Sequence, residues 1–201
     1  MKHKSIFISI ACLTAIIAGI LYFGQKAPTT KTVTISADYP KYDNLENLVE
    51  KADTIIKGKV IDYTYSDLNV TEESQPDDEL QNPGGEKDNS TIPYTIFTVE
   101  IEEAYKGTAE EKDTIQIKTL GGIVGDTEYV LEDSSGSNIE EGKKYVFFLE
   151  TYANSPASLL NSTQSSYEYD EHGNIIRQGK EMGQNEINFT IEDLENIDSS
   201  K

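Results

Sequence analysis

The chain has very few of the residues on which most enzyme chemistry depends. It contains one cysteine, Cys12, two histidines, His3 and His172, and no tryptophan. Cys12 lies in an apolar N-terminal segment, so the remainder of the chain can form neither an internal disulfide nor a thiolate metal site. The stability of that remainder must therefore come from packing.

The shortage of histidine excludes the commonest nucleophilic and zinc sites. A catalytic serine or cysteine needs a base within reach, a zinc ion needs three or four His or Cys ligands, and only His172 lies beyond the N-terminal segment. A pair of carboxylates could serve a glycosidase, but 36 acidic residues make such a pair impossible to identify. We therefore assign no catalytic, cofactor-binding or metal-ligating residue and expect no cofactor.

Motifs for small ligands are equally scarce. The stretch from Leu120 to Gly125 has three glycines, but it lacks the Gly-Lys-Ser/Thr ending and the spacing of a phosphate-binding loop, so we predict a turn. Twelve tyrosines could form a platform for sugar stacking, although tyrosine at strand spacing is more typical of a core or an interface.

Basic residues are also few, and this restricts the partners. The first 27 residues hold 3 lysines and no acid, so the other 14 of the 17 basic residues face all 36 acids, a formal charge of −22. Such a surface repels phosphate backbones, which excludes nucleic acid and disfavours anionic lipid as partners of this part. Cations and basic polypeptides remain possible, and the charge would also keep an exported protein soluble.

One long hydrophobic run is present, at the N-terminus. Ser5 to Phe23 carries no charge and as a helix would reach about 28 Å, enough to span a bilayer. Lys2 and Lys4 predict a cytoplasmic N-terminus and an extracellular remainder. We predict a signal or transmembrane anchor over residues 1–27 and a cell-membrane, single-pass protein. Secretion after cleavage before Pro28, or lipidation at Cys12, remains an alternative.

Beyond the anchor the sequence predicts a tether at 28–42, with a short strand at Thr32 to Ser36, and one domain at 43–201. Asp43 or Asn44 is expected to cap a helix that places Leu48 on its apolar face. A second short helix is expected after Thr190, with Asp193 completing a capping box.

Alternating apolar residues predict the strands. The clearest is Tyr94–Gly107, with a β-bulge expected at Glu103-Ala104. In Thr54–Tyr65 the apolar face changes after Val60, which favours coiling around a small barrel. Lys143–Glu150 is apolar on both faces, as in an interior strand, and we expect the helix after Asp43 or the C-terminal helix to cover it. Further strands are predicted at Asp113–Thr119 and Thr127–Leu131 and in a hairpin at Tyr167–Ile176 with its turn at Asp170–Asn174.

A polar, acidic stretch interrupts the strands at 66–91. It has almost nothing apolar and contains Pro76, Pro83 and two glycines, so we predict a long disordered loop. Asp77, Asp78 and Glu79 offer oxygen ligands for calcium, but the ligand spacing and central glycine of an EF-hand are missing. Whether the loop binds calcium stays open.

The order of these motifs resembles a set of uncharacterised exported Gram-positive proteins of Bacillus type. The likeness covers residues 43 to 150 and lies in Ala52-Asp-Thr-Ile-Ile-Lys-Gly-Lys-Val60, Phe97-Thr-Val-Glu-Ile-Glu-Glu-Ala-Tyr-Lys-Gly107, the glycine pair at 121 and 122, and Glu141-Gly-Lys-Lys-Tyr-Val-Phe-Phe-Leu149. The chain is also distantly similar to the netrin-like barrels of metalloproteinase inhibitors. Those inhibitors chelate zinc through an N-terminal cysteine that has no counterpart here, so the resemblance implies a fold and transfers no functional residue.

These observations predict a mainly β fold, a small OB-like five-stranded barrel with short flanking helices and an N-terminal transmembrane helix. The function we expect is that of a non-enzymatic extracellular binding module, whose partner is a cell-envelope protein or a basic polypeptide. Two alternatives remain: a carboxylate-dependent hydrolase of cell-wall polymer and a protease-inhibitor-like domain.

Overall fold

A computed structural model of the protein describes residues 30–70, 90–132, 138–176 and 187–198. The chain divides into a unit of residues 1–31 and a unit of residues 32–201. The predicted anchor at 1–27 and most of the predicted loop at 66–91, including its candidate calcium ligands, lie outside the described residues. Within the described ranges, no helix combines the length and the apolar character needed to cross a membrane.

The prediction of a mainly β fold is confirmed, since the described residues form two sheets and two short helices. The strands are β1 (Lys31–Ile35), β2 (Thr54–Leu68), β3 (Ile92–Lys106), β4 (Thr114–Leu120), β5 (Gly122–Val124), β6 (Thr127–Leu131), β7 (Lys144–Glu150), β8 (Ala157–Leu159) and β9 (Ser166–Glu168). The helices are α1 (Leu45–Lys51) and α2 (Ile191–Asp198).

The larger sheet turns back on itself. Its order is β2-β3-β4-β8-β7-β9, and β2 pairs with β7 as well as with β3. Strands β2, β3, β4, β8 and β7 therefore form a continuous ring of pairings, called the strand ring below. The pairing of β4 with β8 is parallel, and the ring's other pairings are antiparallel. The smaller sheet has the order β1-β6-β5.

Irregular pairing between β2 and β3 lets these long strands coil. The register skips Tyr105 and Glu102 on β3 and Ile61 on β2. The bulge predicted at Glu103-Ala104 thus becomes two irregularities that flank those residues. The extra residue at Ile61 is the physical reason for the change of apolar face after Val60, because one inserted residue reverses the alternation of side chains.

Strand β7 is the interior strand that the sequence predicts. All side chains from Tyr145 to Leu149 are fully buried. Tyr145, Phe147 and Leu149 join the core enclosed by the strand ring, whereas Val146 and Phe148 join a second core on its outer side. Helices α1 and α2 contribute Leu48 and Leu194 to the second core. The two helices thus cover one face of this strand, whereas the other strands of the ring cover its second face.

Both helices begin at the predicted caps. The side chain of Asn44 accepts a hydrogen bond of 2.9 Å from the backbone N–H of Asn47. At α2, the Asp193 carboxylate accepts a hydrogen bond of 2.7 Å from the backbone N–H of Thr190. The Thr190 hydroxyl in turn accepts a hydrogen bond of 3.2 Å from the backbone N–H of Asp193. These reciprocal bonds satisfy N–H groups that a helix start leaves without partners.

The predicted loop at 66–91 begins too early, whereas its end at residue 91 agrees with the start of β3. Ser66, Asp67 and Leu68 continue β2, and β3 begins at Ile92. The sequence hides this extension because Ser66 and Asp67 are polar. Their strand conformation comes from pairing with Tyr94 and Pro93 on β3 rather than from local propensity.

The glycine stretch from Leu120 to Gly125 is not a simple turn, because it contains β5. Gly121 and Gly122 have φ values of 97° and 134°, which L side chains rarely adopt. A Cβ at Gly121 would lie 2.6 Å from the carbonyl oxygen of Tyr129. The glycine pair thus allows β5 to fold back tightly against β6.

The Ser- and Asn-rich stretch at 152–166, for which the sequence gives no clear structure, contains β8 and an ordered loop. This loop holds the second half of the predicted tether. The side chain of Gln164 accepts a hydrogen bond of 3.0 Å from the backbone N–H of Tyr42 and donates one of 2.9 Å to the backbone carbonyl of Tyr42. Asn161 Nδ2 donates 2.9 Å to the carbonyl of Pro40. The short strand expected at Thr32 to Ser36 is present as β1.

Replacing Gly121 with alanine is expected to lower the free energy of unfolding by about 2 to 3 kcal/mol, through backbone strain and the close contact with Tyr129. Gly125 is the matched control, since its φ is 59° but nothing lies within 4 Å of an added Cβ. Gly125→Ala should cost about 1 kcal/mol. Denaturant unfolding measures both, and equal losses would show that the close contact contributes nothing.

Candidate functional site

Beyond the strand ring, β2 and β3 continue as a two-stranded ribbon. Strand β2 pairs with β7 only from Thr54 to Lys59, and Val60 exchanges hydrogen bonds with the turn at Gly142 and Lys143. From there to Leu68, β2 pairs with β3 alone. Among the described residues, the second edge of Ile61–Leu68 therefore carries no strand. We call this stretch the ribbon edge.

An apolar patch lies beside the ribbon edge. Ile61, Tyr63 and Tyr65 on β2 are each about 40 % exposed. The rings of Tyr63 and Tyr65 meet edge to face, with centroids 5.6 Å apart. Side chains with this alternating spacing share one face of a strand. We call these three residues the ribbon patch.

Acidic groups surround this patch. Asp62 and Asp67 lie on the ribbon, and the Asp62 carboxylate accepts 2.9 Å from the backbone N–H of Tyr63. Burial, together with the neighbouring Tyr63 and Glu128, raises the pKa of the Tyr65 hydroxyl. Charges on an edge strand discourage pairing with a second copy of the same acidic chain. They favour a partner of opposite charge.

A network of charges and tyrosine hydroxyls covers the outer face of the ring. The Glu102 carboxylate lies 2.7 Å from Lys144 Nζ and accepts a hydrogen bond of 2.7 Å from the Tyr169 hydroxyl. The Glu103 carboxylate lies 3.3 Å from Lys57 Nζ and accepts 2.9 Å from the Tyr105 hydroxyl. Each of these carboxylates is already occupied by a cation and a hydroxyl.

The pKa of Glu102 does not suit a general acid. Burial raises it, but the hydrogen bonds from Lys144 and Tyr169 outweigh this and hold it below its ordinary value. A general acid at neutral pH needs the opposite displacement. The bonds that Glu102 and Glu103 make to lysines of β7 and β2 connect strands of the sheet and support its fold.

Acidic side chains also gather in an open groove between the two helices. Asp43, Glu46, Glu50 and Asp193 contribute to its walls, and its volume is about 950 Å³. All four residues are exposed. The hydrogen bonds that Asp193 accepts in the cap of α2 lower its pKa. The acids thus lie on an open rim and not at the base of an enclosed cleft.

His172 lies in the predicted turn. Its backbone N–H donates 2.9 Å to Asp170, whose carboxylate also accepts from the backbone and side chain of Asn174. These hydrogen bonds lower the pKa of Asp170. Across the part of the chain that the structure describes, no three His, Cys, Asp or Glu residues come together as a metal site.

A pocket between the strand ring and the smaller sheet was not predicted from the sequence. It measures about 330 Å³, and Tyr39, Tyr94 and Tyr129 contribute to its walls. These tyrosines come from three separate segments, so no local pattern joins them. The available signals were the glycine pair beside Tyr129 and the abundance of tyrosine.

No protein-family model matches the chain, and no curated protein resembles it significantly. The resemblance to exported Bacillus-type proteins therefore stays a prediction. Fold and site together define a mainly β protein in which the described residues leave one edge of β2 unpaired beside an apolar patch.

Proposed function

We propose that the protein is a non-enzymatic interaction module held on the outer face of a Gram-positive cell membrane by its N-terminal segment. Its partner is a cell-envelope protein that binds the ribbon edge through an extended basic segment. We further propose that the strand ring is an OB-like barrel of the exported Bacillus-type set. Its five strands and the closure between β2 and β7 support this assignment.

The observation that carries the proposal is the ribbon edge next to the ribbon patch. An unpaired strand offers a row of backbone N–H and C=O groups to an extended peptide. Alternate side chains of that peptide would face the exposed rings of Tyr63 and Tyr65. Backbone pairing then provides affinity, and the rings provide selectivity.

Charge selects the class of peptide. Asp62, Asp67 and Glu128 lie on or beside the ribbon, and the chain as a whole carries a formal charge of −19. Lysine and arginine side chains would approach this surface faster than acidic ones, and added salt would weaken the attraction. An extended basic segment is therefore the best fit.

A defined peptide tests this surface. The full-length chain in detergent should bind an eight-residue peptide that alternates lysine and valine, and should not bind its glutamate–valine counterpart. The double variant Tyr63→Ser, Tyr65→Ser should bind the basic peptide at least about tenfold more weakly, because two exposed anchor rings are lost. Fluorescence anisotropy of a labelled peptide measures both affinities.

The matched control is Tyr152→Ser, which removes a tyrosine that is 44 % exposed and lies outside the ribbon. It should leave peptide affinity unchanged. A pull-down from envelope extract should then recover a protein with the wild-type chain and with this control but not with the double variant. Equal recovery with all three chains, or equal binding of both peptides, would refute the proposal.

The two alternatives from the sequence have less support. A carboxylate-dependent hydrolase needs two acids facing each other in a cleft, and the acids described at Glu102, Glu103 and the helix groove are occupied or open to solvent. An inhibitor-like role relies on fold analogy alone. Neither has a specific observation in its favour among the described residues.

A further inference from the structure

The pocket between the strand ring and the smaller sheet differs in charge from the rest of the protein. Acids make up 36 of the 201 residues, yet no Asp or Glu lies among the described residues that line this pocket. Its one charged lining residue is Lys118. The acidic outer surface attracts basic peptides and metal ions, but a pocket without acids does not.

Lys118 does not supply a free positive charge to the pocket either. Its ammonium donates 2.9 Å to the Ser155 hydroxyl and also donates to the carbonyl of Pro156. The same ammonium lies 4.2 Å from the centre of the Tyr152 ring. None of these three partners lines the pocket. Among the described lining residues, a phosphate or carboxylate ligand would therefore find no available cation.

The walls combine aromatic faces with hydroxyl groups. Tyr39, Tyr94 and Tyr129 line the pocket and are each partly buried. Burial raises the pKa of the Tyr39 and Tyr94 hydroxyls, and the two tyrosines are close enough to influence each other electrostatically. Thr119 and Ser162 add further hydroxyl groups. Tyrosine walls offer an apolar face and a hydrogen-bonding edge to the same ligand.

The pocket is also well braced. Gly122, in its wall, leaves no room for a side chain, because a Cβ would lie 2.6 Å from the Tyr65 ring and 2.8 Å from the Thr95 hydroxyl. The Thr95 hydroxyl donates 2.9 Å to the carbonyl of Gly121. Asn161, in another wall, is held by several buried hydrogen bonds. Rigid walls reduce the entropy lost when a ligand binds.

We propose that this pocket binds a neutral saccharide unit. A pyranose ring has an apolar face for a tyrosine ring and a rim of hydroxyls for the tyrosine, threonine and serine hydroxyls, and it needs no counter-charge. The volume of about 330 Å³ lies in the range of small-ligand sites and suits one or two sugar rings. No residue of the ribbon edge lines this pocket, although the ring of Tyr65 lies against Gly122 in its wall.

The test titrates the full-length chain, in a detergent without a sugar headgroup, with methyl β-glucoside and methyl N-acetyl-β-glucosaminide. At least one should saturate the protein with a dissociation constant of about 1 mM, as expected for a single small ligand. Glucuronate and glucosamine should bind more weakly, since neither charge has a partner in the pocket. Calorimetry and saturation-transfer NMR provide the readouts.

Three variants locate the site. Tyr94→Ala should weaken saccharide binding at least about tenfold, and Tyr94→Phe, which keeps the ring and removes the hydroxyl, by a smaller factor of about three. Ile176→Ala changes an exposed side chain that does not line the pocket and should leave saccharide binding unchanged. Thermal unfolding of Tyr94→Phe should match the wild type, so a loss of binding by this variant reports on the pocket.

Two results would overturn the proposal. One is the failure of both neutral glycosides to bind the wild-type chain. The other is unchanged binding by Tyr94→Ala. Because the peptide and saccharide tests use different ligands and different variants, the two measurements fail independently.

Discussion

Phe148→Ala is expected to lower the free energy of unfolding by about 3 to 5 kcal/mol, the largest effect of any substitution considered. The Phe148 side chain is fully buried. Its ring meets those of Tyr167 and Phe189 edge to face, with centroids 6.0 and 5.7 Å away. The substitution therefore removes buried apolar area and leaves a cavity where β7, β9 and the segment before α2 meet. Denaturant unfolding measures the loss.

The comparison variant is Tyr152→Ala, which removes an exposed aromatic side chain. It should cost about 1 kcal/mol, because Tyr152 is 44 % exposed and gives up its contact with the Lys118 ammonium and its hydrogen bonds with Ser158 and Glu150. A domain of this size has a total stability of about 5 to 15 kcal/mol, so Phe148→Ala should also lower the unfolding temperature clearly. Similar losses for both variants would mean that the second core is not packed as described.

Asn161→Ala is expected to cost about 3 to 4 kcal/mol, more than is usual for a polar residue. Asn161 is 2 % exposed. Its Oδ1 accepts hydrogen bonds from the backbone N–H groups of Thr163 and Gln164, and its Nδ2 donates to the carbonyl of Pro40. Alanine would remove the buried hydrogen bond from the N–H of Gln164 and the two partly buried bonds with Thr163 and Pro40. Leaving a buried polar group unsatisfied costs about 1 to 3 kcal/mol.

Two further variants separate this effect from a general loss of polar side chains. Asn161→Asp keeps the acceptor but removes the Nδ2 donor and places a negative charge beside the Pro40 carbonyl, so it should destabilise at least as much as alanine. Asn154→Ala, at an exposed loop position, should cost less than about 0.5 kcal/mol. If Asn161→Ala lowers the free energy of unfolding no more than Asn154→Ala does, the hydrogen bonds described for Asn161 are wrong.

Sequence patterns predicted the helix caps and the buried strand, which depend on residues close together in the sequence. The caps at Asn44 and Thr190 follow from side chains three residues from their partners, and the apolar run of β7 identifies a strand buried on both faces. The change of face after Val60 correctly indicated an irregular, coiled strand. The mainly β class follows from these features.

Non-local pairing determines what the sequence did not predict. Strand β8 has three residues in a Ser- and Asn-rich stretch, and its parallel partner on β4, at Ile117, lies far away in the sequence. Ser66 and Asp67 are strand residues only because β3 lies opposite them. The tyrosine pocket draws on segments as far apart as Tyr39 and Ser162. No window of sequence contains such a site.

Hydrogen exchange of the full-length chain, followed by mass spectrometry, tests most directly whether an interior strand supports a ribbon with one unpaired edge. The amides of Tyr145–Leu149 should be among the slowest to exchange, because β7 is buried on both faces and paired on both sides. The amides of Ile61–Leu68 that point away from β3 should exchange far faster and become protected when the lysine–valine peptide is added. Rapid exchange throughout β7, or a ribbon edge already protected without the peptide, would contradict both the fold and the proposed binding surface.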